Sequence, residues 1–470
     1  VLDCAGVEAM IQLRDYQIDL LERTRALMRQ GVRRILIQCP TGSGKTVLVA
    51  QMLASAAARG KRAWFLVHRK ELLEQSVETF IETADIHTGV VAAGYPASPL
   101  APVQVCSVPS LERRARHLTS PDVCVWDECH HLASKSWAAL AQQFPSAVHI
   151  GLTATPQRLD GRGLGAYFDA PVEGPTTADL IAQGWLSAYK FYAPSAANLS
   201  GVHRVAGDYN KRELAGAMQQ SSVVGDALAH YRQHCAGGRA LVFAWNLDAS
   251  RQMAASFVAA GIAAQHVDGD TPKAERAHAM KEFRNGTVRV LCSVDLFSEG
   301  LDVPAVDGLF LLRPTQSLGL YLQQVGRGLR PAAGKAVVRI FDHAGHWERH
   351  GLPDDSRQWS LTGASSSKSR EGVLGVRRCP VCFGVSRSSS RVCAYCGAAF
   401  EVKARQVQQV EGVLQETDAA ALRALRERRQ EFYGQCQTLA QWQALAKMLG
   451  YRAGWAWHMS QRAKAHRRTA

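Results

Sequence analysis

The stretch "ILIQCPTGSGKT", Ile35 to Thr46, constrains the fold more than any other, because an apolar β-rich run passes through a glycine-rich loop straight into an apolar helical pattern. A strand this apolar is buried on both faces, and the helix that follows must pack back onto the sheet, so a parallel sheet covered by helices is expected. The loop between them suits phosphate. Gly42 and Gly44, beside Thr41 and Ser43, let backbone N–H groups approach phosphate oxygens, and the helix N-terminus adds a favourable dipole. Lys45 is placed to reach the β- and γ-phosphates of ATP, and the Thr46 hydroxyl to bind Mg2+. Against the pattern G-x-x-x-x-G-K-[ST], Cys39 stands where the first glycine is usual.

A second strand pattern, "VCVW", runs into "DECHHL". A carboxylate at a strand end beside a phosphate loop is where Mg2+ needs a ligand, which gives Asp127 that role. Glu128, next to it, can orient and deprotonate an attacking water.

The alternation of β-rich runs with helical patterns continues to about residue 180 and restarts after Gln183, so two similar α/β domains in tandem are expected, residues 10–182 and 183–350, with a hinge near 181–188. The Ser/Gly-rich, basic stretch "GASSSKSREG" marks a flexible linker within 351–378. A four-cysteine module (379–400) and a basic helical region (401–470) complete the organisation. Val1 to Ala9 precede Met10, and "MIQLRDYQ" reads as the natural beginning, with the first nine residues an upstream extension of the reading frame.

A chain of 470 residues with 47 % hydrophobic content can bury more than one core. No apolar run approaches the roughly 20 residues of a membrane-spanning helix, and no basic segment followed by an apolar core opens the chain, so a cytoplasmic location is expected. The net charge of +14 points to a polyanion partner, nucleic acid first. Of the 12 cysteines, Cys39, Cys106, Cys124 and Cys292 sit in or beside strand-like runs, where the thiol behaves as a small hydrophobe.

With these pieces in order, the chain resembles the superfamily 2 helicases, with a DEAD/DEAH-like box spelled D-E-C-H. "LRDYQ" resembles the adenine-reading element, "CPTGSGKT" motif I, "LVHRKELLEQ" motif Ia, "VCSVPSL" the next strand-contacting motif, "DECH" motif II and "LTATP" motif III. "LVFAWN", "SVDLFSEGLDVPAVD" and "QQVGRGLRP" resemble motifs IV, V and VI. The resemblance implies two tandem RecA-like domains and a nucleic-acid-dependent ATPase. It implies that Gln17 bonds the base edge and Arg14 packs on its ring, and that Gly300 and Asp302 sit at the nucleotide. Arg327 and Arg330, spaced to share one helical face, would be arginine fingers for the γ-phosphate. Gln324 would contact the water or His130, and His130 would couple the lobes. Arg69, Ser107, Thr153 and Thr155 would touch the strand, the last two also fitting a coupling role. The closer resemblance is to bacterial RadD-like DNA repair helicases and their phage relatives, carried by "ATPQRLDGRGLGAYFD" and "DHAGHWERHG". A monomeric motor on single-stranded or branched DNA is implied, with repair or recombination proteins as partners. An RNA helicase, a restriction-type DNA translocase and a catalytically silent nucleic-acid scaffold are the alternatives.

"CPVCFGVSRSSSRVCAYCG" is C-x2-C-x10-C-x2-C. Two thiolate pairs, Cys379 with Cys382 and Cys393 with Cys396, suit a closed tetrahedral and therefore structural Zn2+. Arg377, Arg378, Arg387 and Arg391 around the ligands read as a nucleic-acid surface, with protein docking as the rival. In the tail, Tyr451, Trp455 and Trp457 alternate with basic residues, which suits either base stacking or a small domain's own core.

Overall fold

The computed structural model describes residues 12–362 and 375–400, apart from 69, 97, 134, 158–161, 195–198, 206–207, 220–222, 295 and 297–305, and further on 433, 436, 438–448 and 453–467. The chain divides into two compact units, Val1–Glu401 and Val402–Ala470. No described helix is long and apolar enough to cross a membrane.

The first lobe runs α1 (Asp15–Arg29), β1 (Arg34–Gln38), α2 (Lys45–Ala57), β2 (Ala63–Val67), α3 (Lys70–Ala84), β3 (Gly89–Val91), β4 (Val103–Ser107), α4 (Val108–Arg114), β5 (Val123–Trp126), α5 (Lys135–Gln142), β6 (Val148–Thr153), β7 (Ala170–Glu173) and α6 (Thr177–Ala182). Its seven-stranded sheet has the order β3-β4-β2-β5-β6-β1-β7, and every pair is parallel. All five residues of β2 are buried, as a strand covered on both faces requires. One core lies between the sheet and α2, with Leu48, Val49 and Leu53 against Ile35, Ile37 and Phe65, and another on the opposite face around Trp64, Trp126 and Phe168. Each such side chain contributes about 1.5–3 kcal/mol.

The second lobe runs β8 (Ala188–Tyr192), a small hairpin β9 (Arg204–Val205) and β10 (Asp208–Tyr209), α7 (Lys211–Gln219), α8 (Val223–His234), β11 (Ala240–Phe243), α9 (Leu247–Ala259), β12 (Ala264–His266), α10 (Lys273–Asn285), β13 (Val290–Ser293), β14 (Gly308–Leu311), α11 (Leu318–Gly328), β15 (Val337–Asp342) and α12 (His346–His350). The six-stranded sheet, order β12-β13-β11-β14-β15-β8, is again parallel throughout. The expectation of two tandem RecA-like domains is borne out.

The cysteine module carries β16 (Val376–Arg378) and β17 (Val385–Arg387), an antiparallel pair. It docks on the edge strand of the second lobe. Tyr192 bridges Gly384, Ala193 N–H donates to Phe383 O at 2.9 Å, and the Tyr395 hydroxyl accepts from Phe191 N–H at 3.1 Å.

The segment from 351, expected as the start of a flexible linker, is instead packed as far as Leu361. Leu352 is buried in the second-lobe core, because an apolar side chain beside a sheet has more to gain from burial than from freedom. The Arg357 guanidinium donates to the carbonyls of His350, Leu352, Pro353 and Asp355 at 2.8–3.2 Å. Further on, the chain reaches the first lobe, where Gly165 N–H donates to Leu361 O at 2.7 Å. This strap therefore ties both lobes. Residues 363–374, with the Ser/Gly-rich stretch, lie outside the described residues, as do residues 1–9.

In the C-terminal unit, α13 (Leu439–Met448) and α14 (Ala453–Arg467) pack on each other. Trp442 and Ala456 are buried there with Trp455 against them, while Trp457 is exposed. Of the two tryptophans singled out in the tail, Trp455 is core. Tyr451 lies outside the described residues.

Replacing Arg357 by Met should unpair four carbonyls at once and cost about 2–3 kcal/mol. A lowered thermal midpoint with faster proteolysis within 351–362 is the expected result. An unchanged melt would show the strap to be superficial.

Candidate active site

Sheet order builds the site. β6 lies between β1 and β5, so the loop after β1, the "TAT" turn after β6 and the Asp127–Glu128 turn after β5 open at one edge of the sheet, where α/β sheets carry ligands. Cys39 N–H donates to Thr153 O at 3.0 Å, continuing the β1–β6 register into the loop. The bulk of Cys39, in place of glycine, is accommodated from the neighbouring strand: a methyl group on Gly174 would lie 2.8 Å from Cys39 Sγ.

Gly42 and Gly44 have φ of 86° and 75°, the left-handed region in which side chains are strained. Gly44 caps α2, leaving the first N–H groups of that helix open to an anion. Lys45 Nζ donates to Cys39 O and Pro40 O at 3.0 and 3.2 Å, which folds the ammonium group over the loop. Ser43 is buried in the loop and Thr46 is half-buried on the first turn of α2. Thr41 Oγ1 is buried with no hydrogen-bond partner among the described residues. An orphaned hydroxyl and left-handed glycines at a helix start fit a phosphate chain, and a neighbouring hydroxyl and carboxylate fit its Mg2+.

Asp127 follows β5, its N–H donating to Leu66 O at 3.0 Å. Desolvation and the charge of Glu128, only partly offset by Lys45 and His68, push the Asp127 carboxyl up to about 6. Glu128 is held at φ 46°, a conformation costing a non-glycine residue about 1–3 kcal/mol and typical of functional turns. His130 Nδ1 lies 3.4 Å from Glu128 Oε2. His131, for which the sequence suggested no role, packs its ring against His130 and His68, with centroids 4.4 and 4.5 Å apart. Cys129 is the packing residue of the turn: fully buried, its Sγ would lie 2.8 Å from a methyl on Gly151.

The second lobe closes the site through α11. A methyl on Gly326 would lie 2.4 Å from Thr41 Cβ, and one on Gly319 would lie 2.9 Å from Thr155 Oγ1. Neither glycine was singled out from the sequence, though their repetition in "LGLYLQQVGRGL" is the signal of a helix that something approaches closely. Gln324 and Arg327 are buried on α11. Arg330 does not share their helical face. The helix ends at Gly328, because a residue before proline, here Arg330 before Pro331, is driven out of helical geometry. Its side chain lies over the phosphate loop instead, with Cγ 3.8 Å from where a Gly42 methyl would be.

Thr153 and Thr155 are buried and clasp each other, Thr153 Oγ1 donating to Thr155 O at 2.9 Å and accepting from Thr155 N–H at 3.1 Å. That placement leaves neither threonine exposed to a strand. Ser107 is half-buried at the N-cap of α4, its side chain making no capping bond. Gln17 is buried beneath the phosphate loop and Arg14 lies at the loop's mouth, beside Tyr16. Arg69, Gly300 and Asp302 lie outside the described residues. A groove of about 1110 Å3 opens at the strand ends of the second lobe, lined by Lys211, Trp245, Asn246, Ser293 and Arg313 among others.

The four cysteines form a separate centre. Their Sγ atoms all lie within 4.8 Å of one another, with Cys379–Cys396 at 3.7 Å and Cys382–Cys393 at 3.6 Å. These are no disulfides, and ligands about 2.3 Å from a tetrahedral Zn2+ would be about 3.8 Å apart. Gly384 and Tyr395 N–H groups donate to Cys382 and Cys393 Sγ at 3.4 Å, as suits thiolates. The set fits structural Zn2+. Three of the four surrounding arginines are engaged with the chain itself, while Arg391 is exposed. Arg377 stacks on Phe400, Arg378 donates to Ala193 O and Pro194 O, and Arg387 pairs with Asp354 and Asp355 of the strap at 3.6 and 3.8 Å.

Three outcomes are expected. A carboxyl raised to about 6 holds its proton against a metal, so Mg2+-dependent nucleotide binding should weaken as pH falls through about 6. The same shift destabilises the metal-free fold above that pH, so Asp127→Asn should raise its thermal midpoint at pH 8 and leave it unchanged at pH 4. A pH-independent difference would contradict this. Cys382→Ser should abolish stoichiometric zinc in purified protein and, because the module braces the strap, lower thermal stability as well. Retained metal would refute the ligand set.

Residues 10–158 match the family described as "Type III restriction enzyme, res subunit", and residues 223–332 match "Helicase conserved C-terminal domain". A "51.5 kDa protein" of a Lactococcus phage is 35 % identical over 370 residues, 78 % of each chain. IRC3 of Saccharomyces cerevisiae, which carries the name of an ATP-dependent helicase, is 29 % identical over 71 % of this chain and 51 % of its own length. The solved structure of the ATP-dependent Type ISP restriction-modification enzyme LlaBIII bound to DNA shares the fold, with a TM-score of 0.55 at 17 % identity over 72 % of this chain and 28 % of that one. Both family profiles fall on the two lobes that meet at the phosphate loop, and with them the chain belongs to the superfamily 2 helicases of the DEAD/DEAH-box type.

Proposed function

We propose that the chain is an ATP-dependent DNA translocase or helicase that hydrolyses ATP to ADP and phosphate and turns lobe closure into movement along a strand. The observation that carries this reading is the contact of α11 with the phosphate loop, Gly326 against Thr41 and Arg330 over Gly42. It joins the two halves of a split hydrolytic site.

In this reading the N–H groups at the start of α2 and the Lys45 ammonium hold the phosphate chain. Thr46 and Asp127 would hold Mg2+, which would supply positive charge to the phosphates. Glu128 orients the attacking water and takes its proton. Arg327 and Arg330 offset charge that develops only as the terminal phosphate leaves, so the chemistry waits for closure. Thr155, which α11 approaches at Gly319, is assigned with Thr153 and His130 to carry the closure to Glu128. Gly300 and Asp302 are assigned to the nucleotide side of the cleft, and Arg69 and Ser107 to the strand.

DNA is favoured as the track by the likeness to a restriction enzyme solved with DNA and by a net charge of +14. The strand-end groove of the second lobe, with Lys211 and Arg313 on its walls, suits a phosphate backbone read without sequence preference. Repair or recombination is the setting that the motif resemblance suggests.

Steady-state ATP turnover should rise on adding single-stranded DNA, and more than on adding RNA. Lys45→Ala and Glu128→Gln should each lower stimulated turnover by about 10²-fold or more with an unchanged circular-dichroism melt. No turnover with any nucleic acid would sink the proposal, and stronger stimulation by RNA would move it to an RNA helicase.

A further inference from the structure

The C-terminal unit turns one tryptophan of α14 inward and the other outward. Trp455 packs with Tyr433 and Trp442, its ring centroid 5.8 and 5.9 Å from theirs, and Ala456 and Ser460 of the same helix are buried. These contacts fix the rotation of the helix. Residues two apart on an α-helix point about 200° apart, so Trp457 faces away from the core. It is 52 % exposed, the most exposed of the chain's ten tryptophans.

The surface beside the indole is bare. Gly454, one turn earlier on α14, is exposed, and a methyl group there would meet nothing within 4 Å. Glycine inside a helix costs stability relative to alanine, and no close contact requires it here, so what it provides is space. Helical side chains lie over the turn that precedes them, which directs the indole toward that space. The other neighbours are polar: His458 meets the indole edge-on, centroids 5.0 Å apart, and Gln461, one turn further, is exposed. A single aromatic among glycine and polar residues is not the apolar stripe that a membrane surface or a partner helix needs. Charge points to a different occupant. Within 432–470 the sequence has Lys447, Arg452, Arg462, Lys464, Arg467 and Arg468 and no Asp or Glu, an unopposed positive charge that suits a phosphate backbone.

With DNA as the partner proposed above, we infer that the C-terminal unit is a nucleic-acid-binding site of its own, in which Trp457 stacks on a base of single-stranded DNA while the unit's cations attract the phosphates. A flat aromatic with open space beside it and a basic setting is the combination that single strands require. The partner is a single strand because in a duplex each base face is already covered by the next base. Every base has such a face, so the contact tolerates any sequence and suits a strand that moves. Joined to the two lobes in one chain, a second grip of this kind raises overall affinity without entering the hydrolytic step.

The test is fluorescence-anisotropy binding of the full chain, without nucleotide, to three labelled probes of about 30 nucleotides: oligothymidylate, a strand of equal length lacking every base, and a blunt duplex. Trp457→Ala should weaken oligothymidylate about tenfold and leave the base-free strand and the duplex within about twofold. Trp457→Phe should restore most of the loss. Gly454→Leu, which favours the helix and fills the space beside the indole, should keep or raise the thermal midpoint and still weaken oligothymidylate. In Trp457→Ala the DNA concentration for half-maximal ATP turnover should rise about tenfold, with turnover at saturation unchanged. Unchanged affinity for oligothymidylate, or an equal loss on the base-free strand, would overturn the inference. Should the unmodified chain bind none of the three probes, the DNA reading fails along with this site; should it bind them and Trp457→Ala bind equally well, this site alone fails.

Discussion

The structure depends on a contact made possible by a missing side chain. Gly326 brings α11 so close to the phosphate loop that a methyl group there would overlap Thr41 Cβ at 2.4 Å. Two large sheets, each with its own core, meet at a helix face that glycine keeps flat. The nucleotide chemistry is divided between them. Lys45, Thr46, Asp127 and Glu128 are fixed by the first sheet, and Arg327 and Arg330 by the second. In the proposed function neither half is a catalyst by itself, so the geometry of that contact decides whether hydrolysis is possible.

The elements after the second lobe bear on the same contact. The strap from 351 to 362 packs Leu352 in the second core, spends the Arg357 guanidinium on four carbonyls and hands Leu361 O to Gly165 of the first lobe. Asp355 and Arg357 of the strap also line a cavity of about 70 Å3 with Thr41 and Gly326. The four-cysteine module extends the edge of the second sheet and pairs Arg387 with Asp354 and Asp355. The four-cysteine cluster is thereby joined to that cavity through Asp355 of the strap.

What was legible in the sequence is local. The strand, glycine loop and helix at Ile35–Ala57, the carboxylates after β5 and the cysteine pairs each place their chemistry within a few residues, so spacing was enough to find them. The parallel sheets followed from the β/α alternation for the same reason. What escaped was set at a distance. Arg330 was read onto a helical face that Pro331 terminates. The arginines around the cysteines looked free until carbonyls and carboxylates from residues 193–194 and 354–355 were found beside them. Residues 351–362 looked like linker because one buried leucine and one arginine carry the packing. Gln17, expected at a base edge, also braces the phosphate loop through Ser43 O and Gly44 O.

Introducing a side chain at Gly326 tests the split site most directly. Gly326→Val should leave ATP bound by the first lobe within a few-fold of normal while reducing DNA-stimulated turnover by about 10²-fold or more, since the arginines can no longer reach the loop. Turnover equal to that of the unmodified protein would contradict the account, because it would show that hydrolysis does not require α11 to lie on the phosphate loop.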